Sequence, residues 1–544
     1  MNIPAVIFTV LLISSQYSCT YGFNYLVVSP AFGHSHSTFM GKVADALSDS
    51  GHNVTVLTIL IASKFRERSY TKSTKDIVYI DTTEELDQLS DLMESGDFSR
   101  FWTEEGSMIE TIPSYQGFMN IFEKVYANLR ENTHVLDELK NTRPKYDVII
   151  FESFMFMSRA VQEYLDIPVF IPVTSVTHDG KLAELCGEPV SPSFLSGYFT
   201  NYGNIMNFQE RVTNTISYFL GKVILVYPKW MTLHDPTKPL ELDTAYHRAP
   251  YIFVNSNPYI DFPRPMLAKT IQVGGLTVDV KKLRSEKVDE ASISVNENLI
   301  TNDFQKWNEI LDRRPHTILV SFGTMFQSIY MPESYKQNFV KVMKSFENVT
   351  FIWKYESGET GFAQGAENII FSKWIPQTAL LADSRLSAFL THGGLGSVNE
   401  LSYLGKPAIL CPLFADQLRN AKMLARHNGS IEISKFDLAN YQALRLAFHR
   451  ILFDETITEN ALNLAKRLEN QPMKPKELLV THAEFAAQFG EQPGLDSNIR
   501  NMSFIEYYLL DVFAFLASIL ILVLFMIWIV IRKITGSLIK IKQE

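Results

Sequence analysis

Short apolar runs alternate with amphipathic stretches along most of this chain, and the alternation changes period in a regular way. Tyr25 to Ser29 reads as a buried strand, and apolar Phe39, Met40, Val43, Ala44 and Leu47 then recur at the i, i+3, i+4 spacing of a helix lying on a sheet. Gly51 stands where such a helix should stop, and Val54 to Leu60 reads as the next strand. The same strand–helix–strand unit recurs at Asp147 to Phe151, Ser158 to Leu165 and Pro168 to Pro172. It returns in the second half at Thr317 to Ser321, Pro332 to Phe346 and Thr350 to Lys354, with proline opening the helix. Strands at Ala388 to Thr391 and Ala408 to Cys411 enclose a helix near Ser397 to Leu404, and another helix covers Gln417 to Arg426. Strands and helices in strict alternation predict an α/β protein of parallel sheets with helices on both faces.

At 544 residues the chain exceeds one ordinary core, so two such halves are expected to face each other across a cleft. A polar, charged stretch between Val278 and Asn302 marks the boundary. The expected organisation is a leader over 1–22, an N-terminal domain over 23–285 and a C-terminal domain over 286–490. Gly187 to Asn207, rich in Pro, Gly, Ser and aromatics, predicts a loop over a binding surface. Aromatic residues between Tyr198 and Phe219 are candidates for either an acceptor pocket or core.

Both ends read as targeting segments. Ile3 to Ile13 is mostly apolar and is followed by the small residues Ser18, Cys19 and Gly22, the pattern of a secretory leader. Residues 512–531 carry no charge and, as a helix, would span roughly 30 Å, the thickness of a bilayer core. Arg532, Lys533, Lys540 and Lys542 then place the 532–544 tail in the cytosol and the domains in the lumen, a type I single span. Lys540 and Lys542 also have the spacing of an endoplasmic reticulum retrieval signal. Sequons at Asn53, Asn348, Asn428 and Asn501 fit a luminal ectodomain, with Asn53 and Asn348 expected to be shielded by the strands they precede.

Composition narrows the chemistry. A net charge of −9 argues against a nucleic-acid partner. The three cysteines are too few for a disulfide framework or a metal knuckle, and Cys186 and Cys411 are expected as buried free thiols. In Thr391-His392-Gly393-Gly394-Leu395-Gly396-Ser397-Val398-Asn399-Glu400 a strand ends, glycines follow and a helix begins. Free backbone N–H groups and a positive helix end make that an anion site, with His392 able to donate to a phosphate and Glu400 placed to accept from ribose hydroxyls. It is neither a dinucleotide fingerprint nor a P-loop, and the chain has no Asp-x-Asp triplet for a metal-held diphosphate.

Together with Trp374-Ile375-Pro376-Gln377 and Pro412-Leu413-Phe414-Ala415-Asp416-Gln417, this block resembles the signature of the UDP-glucuronosyltransferase family, and the similarity extends over nearly the whole chain. The resemblance implies a GT-B fold, two Rossmann-like domains with the donor held mainly by the second. It implies that Trp374, with Ile375, flanks uracil, that Gln377 and Glu400 hold the ribose, and that His392, Gly394, Gly396 and Ser397 hold the diphosphate. Asp416 and Gln417 would reach the sugar, and Ser321, Gly323 and Thr324 resemble the family's second phosphate turn. Many members carry Asn where this chain has Gly396, so a side-chain contact there is lost or replaced.

Transfer to a hydroxyl needs a base, and Phe32-Gly33-His34-Ser35-His36-Ser37 offers two histidines at a strand–helix turn. The helix dipole disfavours an imidazolium there. His36 matches the family's catalytic histidine in its spacing to Gly51-His52, whereas His34 does not. Glu152 occupies the position where the family has an aspartate that orients the histidine, one methylene longer. The expected activity is metal-independent, cofactor-free, inverting transfer of a sugar, glucuronate by resemblance, from a UDP-sugar to small lipophilic hydroxyl acceptors. UDP-glucose as donor, a catalytically silent UDP-sugar or lipophile binder, and self-association remain open at this stage.

Overall fold

The computed structural model describes residues 22–31, 33–94, 99–104, 108–197, 200, 202–224, 232–235, 238–240, 246–285 and 306–541. The leader (1–21), the whole 286–305 linker, Tyr198 and Lys542 lie outside the described residues. Seven parallel strands form the first sheet: β1 (Asn24–Ala31), β2 (Asn53–Leu60), β3 (Asp76–Ile80), β4 (Val148–Glu152), β5 (Val169–Thr174), β6 (Ile252–Val254) and β7 (Thr270–Gln272), in spatial order 3-2-1-4-5-6-7. Six more form the second: β8 (His316–Ser321), β9 (Val349–Lys354), β10 (Ile369–Ser372), β11 (Leu386–Thr391), β12 (Ala408–Leu410) and β13 (Ser430–Glu432), in order 10-9-8-11-12-13. Near-continuous apolar strands such as Leu26-Val27-Val28 and Ile318-Leu319-Val320 are buried on both faces, as parallel sheets require.

In each sheet the strand order reverses once, between β1 and β4 and between β8 and β11. The crevice outside the carboxyl ends of the strands at such a reversal is where open α/β sheets bind ligands. Two helices start from these points: α1 (His34–Ser48) after β1, and, further along the chain, the one after β11.

Between the sheets' strands the chain also contributes α2 (Arg100–Thr103), α3 (Phe208–Ile224), α4 (Leu395–Leu404), α5 (Asp416–Ala425), α6 (Pro475–Phe489) and α7 (Leu510–Ile541). Two of them cross between domains. From the first half, α2 sends Trp102 into the core of the second, fully buried with its ring 4.7 Å from that of Phe322. In return α6 packs Leu479, Val480, Ala483 and Ala486 beneath the first sheet with Tyr25, Val43 and Leu47. Lys269–Asp496 (2.5 Å) then holds the following chain to the first domain. The domains also meet through Arg419–Asp261 (2.5 Å) and the side chains of Asn257, Tyr403 and Gln471.

In α7, Leu510–Gly536 is long and apolar enough to cross a membrane. Cys186 and Cys411 are buried free thiols, and burial raises both pKa values. All four sequon asparagines are exposed, Asn53 and Asn348 included, because each lies at the strand's open edge before the buried run begins.

Candidate active site

His36 lies in the first turn of α1, brought to the mouth of the cleft by the turn after β1. Glu152, the last residue of β4, is fully buried just behind it, with Oε2 3.6 Å from His36 Nδ1. Ser175, the first residue after β5, bridges the two: its hydroxyl hydrogen-bonds His36 Nδ1, and its backbone N–H donates to Glu152 Oε1 and Oε2 at 3.3 and 3.2 Å. Ser153 Oγ adds a further donor at 3.3 Å. Strand neighbours thus converge on one imidazole edge, and Phe154 closes over the ring with centroids 5.6 Å apart. His34 is exposed two residues earlier, its ring against Tyr70 at 5.7 Å.

Opposite stands the loop after β11. Gly394 caps α4 without any side-chain cap, so the helix's first N–H groups face the cleft unoccupied by their own chain. His392 is wedged between two backbone segments: a Cβ on Gly323 or on Gly394 would approach its ring to 2.7 Å, so both positions must be glycine. Burial, reinforced by Lys354, pushes the His392 pKa down to about 4, which leaves the ring neutral with one N–H to donate. Gly323 also needs its positive φ of 86° to turn the chain after β8, where its N–H bonds Ser321 Oγ at 3.3 Å. Thr324 is exposed at the same turn.

Lys354, at the end of β9, is, like Ser175, a site residue that sequence reasoning missed. Its ammonium donates to the Gly323 carbonyl at 2.6 Å, sits 5.8 Å from the Trp374 ring and stands 3.5 Å from Glu356. Burial lowers its pKa, with Glu356 opposing. Its only sequence signal was a lysine closing an otherwise apolar strand.

The remaining donor-side residues fall along the same wall. Trp374 exposes 47% of its surface to the cleft, while Ile375 turns its side chain into the core and offers only backbone. Gln377 Nε2 donates to Glu400 Oε2 at 2.7 Å and to Ser397 Oγ at 3.0 Å, and Thr378 donates to Glu400 Oε1. Burial raises the Glu400 pKa against these bonds. A Cβ at Gly396 would meet open space, so an asparagine there would fit. Burial raises the Asp416 pKa, and the hydrogen bond from Asn420 (2.8 Å) opposes it. Gln417 Oε1 accepts from the Leu413 and Phe414 N–H groups at 3.0 and 3.2 Å, which leaves its NH₂ for a ligand. Of the aromatics between Tyr198 and Phe219, Tyr202 lines the cleft and Tyr218 is buried, but Phe208 and Phe219 point outward.

Two doubly wound sheets whose switch points face each other, one bearing a carboxylate-backed histidine and the other a glycine–histidine anion loop, define a GT-B glycosyltransferase. The sequence profile of UDP-glucoronosyl and UDP-glucosyl transferases matches residues 25–544, and the chain belongs to that family. It is 25% identical to UDP-glycosyltransferase UGT5 of Dactylopius coccus, over 96% of this chain and 94% of that one. It is 23% identical to UDP-glucuronosyltransferase 1A8 of Rattus norvegicus, over 92% and 90%. The fold matches the crystal structure of Medicago truncatula UGT71G1 complexed with UDP-glucose at a TM-score of 0.58 and 14% identity, covering 87% of this chain and 99% of that one.

Proposed function

We propose that the chain is an inverting UDP-glucuronosyltransferase that conjugates small lipophilic alcohols and phenols, with His36 as general base. The observation that carries this reading is the His36–Ser175–Glu152 cluster facing the His392 loop across one cleft. With Nδ1 committed to Ser175 and Glu152, Nε2 takes the acceptor O–H proton as the acceptor oxygen attacks C1 of the sugar. The C1–O bond to the β-phosphate breaks, its electron pair leaves on the phosphate, and the anomeric configuration inverts. General base catalysis of this kind contributes about 10²–10⁴-fold. Charge developing on the leaving diphosphate meets the α4 N-terminus, His392 and the nearby Lys354, so the protein itself supplies the positive field without a metal. Trp374 would flank uracil, Gln377 and Glu400 the ribose, and Asp416 with the Gln417 NH₂ the sugar.

Glucuronate rests on the names of relatives such as the rat enzyme, and UDP-glucose is the second reading, since the matched family spans both donors. The buried Glu152 carboxylate, 3.6 Å from His36, supports an active enzyme over a silent binder. The uncharged 512–531 run of α7, followed within the same helix by Arg532 and Lys533, supports a single-span type I protein of the endoplasmic reticulum membrane with luminal domains. A panel of UDP-glucuronate and UDP-glucose with one phenolic acceptor, read by mass spectrometry, tests the reading. A glucuronide is the expected product; a hexoside alone would reassign the donor, and no conjugate with either would return the silent binder.

A further inference from the structure

Helix α3 is inverted relative to an ordinary surface helix. Its protein-facing side carries Asn214, Ser217, Tyr218 and Gly221, all buried. The Asn214 side chain alone accepts from the Gly197 N–H at 2.6 Å and donates to the carbonyls of Pro192 and Leu195 at 2.7 Å. The opposite side presents Phe208, Val212, Ile216, Phe219, Leu220 and Val223 to the outside, with Phe208 72% and Val223 75% exposed. At i, i+4, i+8, i+11, i+12 and i+15 these six form one continuous stripe. A soluble surface helix puts such a stripe inward; one with its stripe outward needs an apolar partner.

The partner is indicated by what touches the end of the stripe. Phe219 meets Phe504 edge-on at 6.2 Å, and Tyr218 hydrogen-bonds Tyr508. Two residues beyond Tyr508 the chain enters α7, the apolar helix fit to cross a membrane. Tyr507 and Tyr508 are of the aromatic type that settles at the headgroup level of a bilayer. The apolar face of α3 is therefore continuous with the membrane-entry point of the same chain. Alongside, Lys222 keeps its ammonium on Glu184 (3.0 Å), at the polar border of the helix.

We propose that α3 lies in the interfacial layer of the bilayer that α7 crosses, with Phe208, Val212, Ile216, Phe219, Leu220 and Val223 among the lipid acyl chains. This rests on the reading of α7 as a membrane span. The inner side of α3 holds residues 192–197, of which Leu195, Ser196 and Gly197 line the cleft. One helix thus separates the acceptor side of the cleft from lipid, and acceptors dissolved in the bilayer reach it around α3 without crossing bulk water.

The full chain, reconstituted in phosphatidylcholine nanodiscs, tests this with an environment-sensitive fluorophore on single cysteines at Ile216→Cys and Val223→Cys. Leu446→Cys, exposed on the second domain, reports the aqueous reference, and Leu520→Cys in α7 the membrane reference. The parental chain, whose Cys186 and Cys411 are buried, is the labelling blank. Probes at 216 and 223 are expected to be quenched several-fold more by lipids carrying a nitroxide near the headgroup than by aqueous iodide, with the order reversed at 446. Iodide quenching at 216 and 223 equal to that at 446, while 520 is quenched by mid-chain nitroxide, overturns the seating of α3 alone. Protection from both quenchers would show a protein partner, such as a second copy, and also overturns it. Loss of lipid quenching at 520 removes the span and the inference together.

Discussion

Glu152 Oε2 stands 3.6 Å from Nδ1 of His36, at the point where the strand order of the first sheet reverses, and Ser175 touches both. The longer side chain of glutamate is accommodated because the Ser175 backbone N–H holds its carboxylate back in the sheet. Its hydroxyl spans what remains of the gap. Under the proposed function, Glu152 and Ser175 would position the imidazole and His36 would transfer the proton. Glu152→Gln removes the charge but keeps the shape, and is expected to lower kcat by about 10²-fold or more with donor KM unchanged. Ser175→Ala should cost about 10-fold, the worth of one hydrogen bond. Steady-state kinetics decide: full turnover in Glu152→Gln alongside an inactive His36→Ala would mean that His36 acts alone.

Lys354 should matter to the donor rather than to the acceptor. Replacement by Met keeps the stem and deletes the ammonium beneath Gly323, so donor KM is expected to rise roughly 10–100-fold, the value of a charge-assisted hydrogen bond. Acceptor KM should stay within twofold or so of the parent, within ordinary scatter for an uninvolved site. An equal loss on both substrates would point to collapse of the loop instead.

The depressed pKa of His392 makes a pH prediction for the unliganded protein. The folded ring titrates near 4, the unfolded one near its ordinary 6.5. Between those values the unfolded chain binds a proton that the folded chain does not, so stability falls as pH drops through this window and is level above it. Denaturant midpoints compared at the two ends of the window, in parent and His392→Gln, should show a shallower pH slope in the variant. An identical slope would remove His392 from the account.

Trp102 ties the first domain into the core of the second, so its loss should be felt as stability. Trp102→Ala is expected to cost about 3–5 kcal/mol in equilibrium unfolding, as for other buried aromatics. A cost under about 1 kcal/mol would mean that the α2 insertion contributes little to joining the domains.

What could be read from the sequence was what is local. β1 and β11 are apolar runs followed at once by a turn and a helix. His36 and the His392 loop sit at those junctions, so periodicity pointed to the fold and the motif to the glycine–histidine loop. Ser175 and Lys354 escaped because each is an ordinary residue at a strand end whose role exists only once neighbouring strands pair. Trp102 escaped because nothing in residues 100–103 shows that their partner is Phe322, more than 200 residues away. The aromatics between Tyr198 and Phe219 read as pocket or core, yet Phe208 and Phe219 turn outward: an apolar side chain in a sequence does not show what it meets. The sugar stayed unread because the side chains proposed to meet it, Asp416 and Gln417, would contact hydroxyls that several sugars share.

His36→Ala tests the central claim most directly. With UDP-sugar and a phenolic acceptor, release of UDP should fall by about 10²–10⁴-fold, while UDP still binds with parental affinity by calorimetry. Turnover within a few-fold of the parent, with UDP binding intact, would contradict the assignment of His36 as the base.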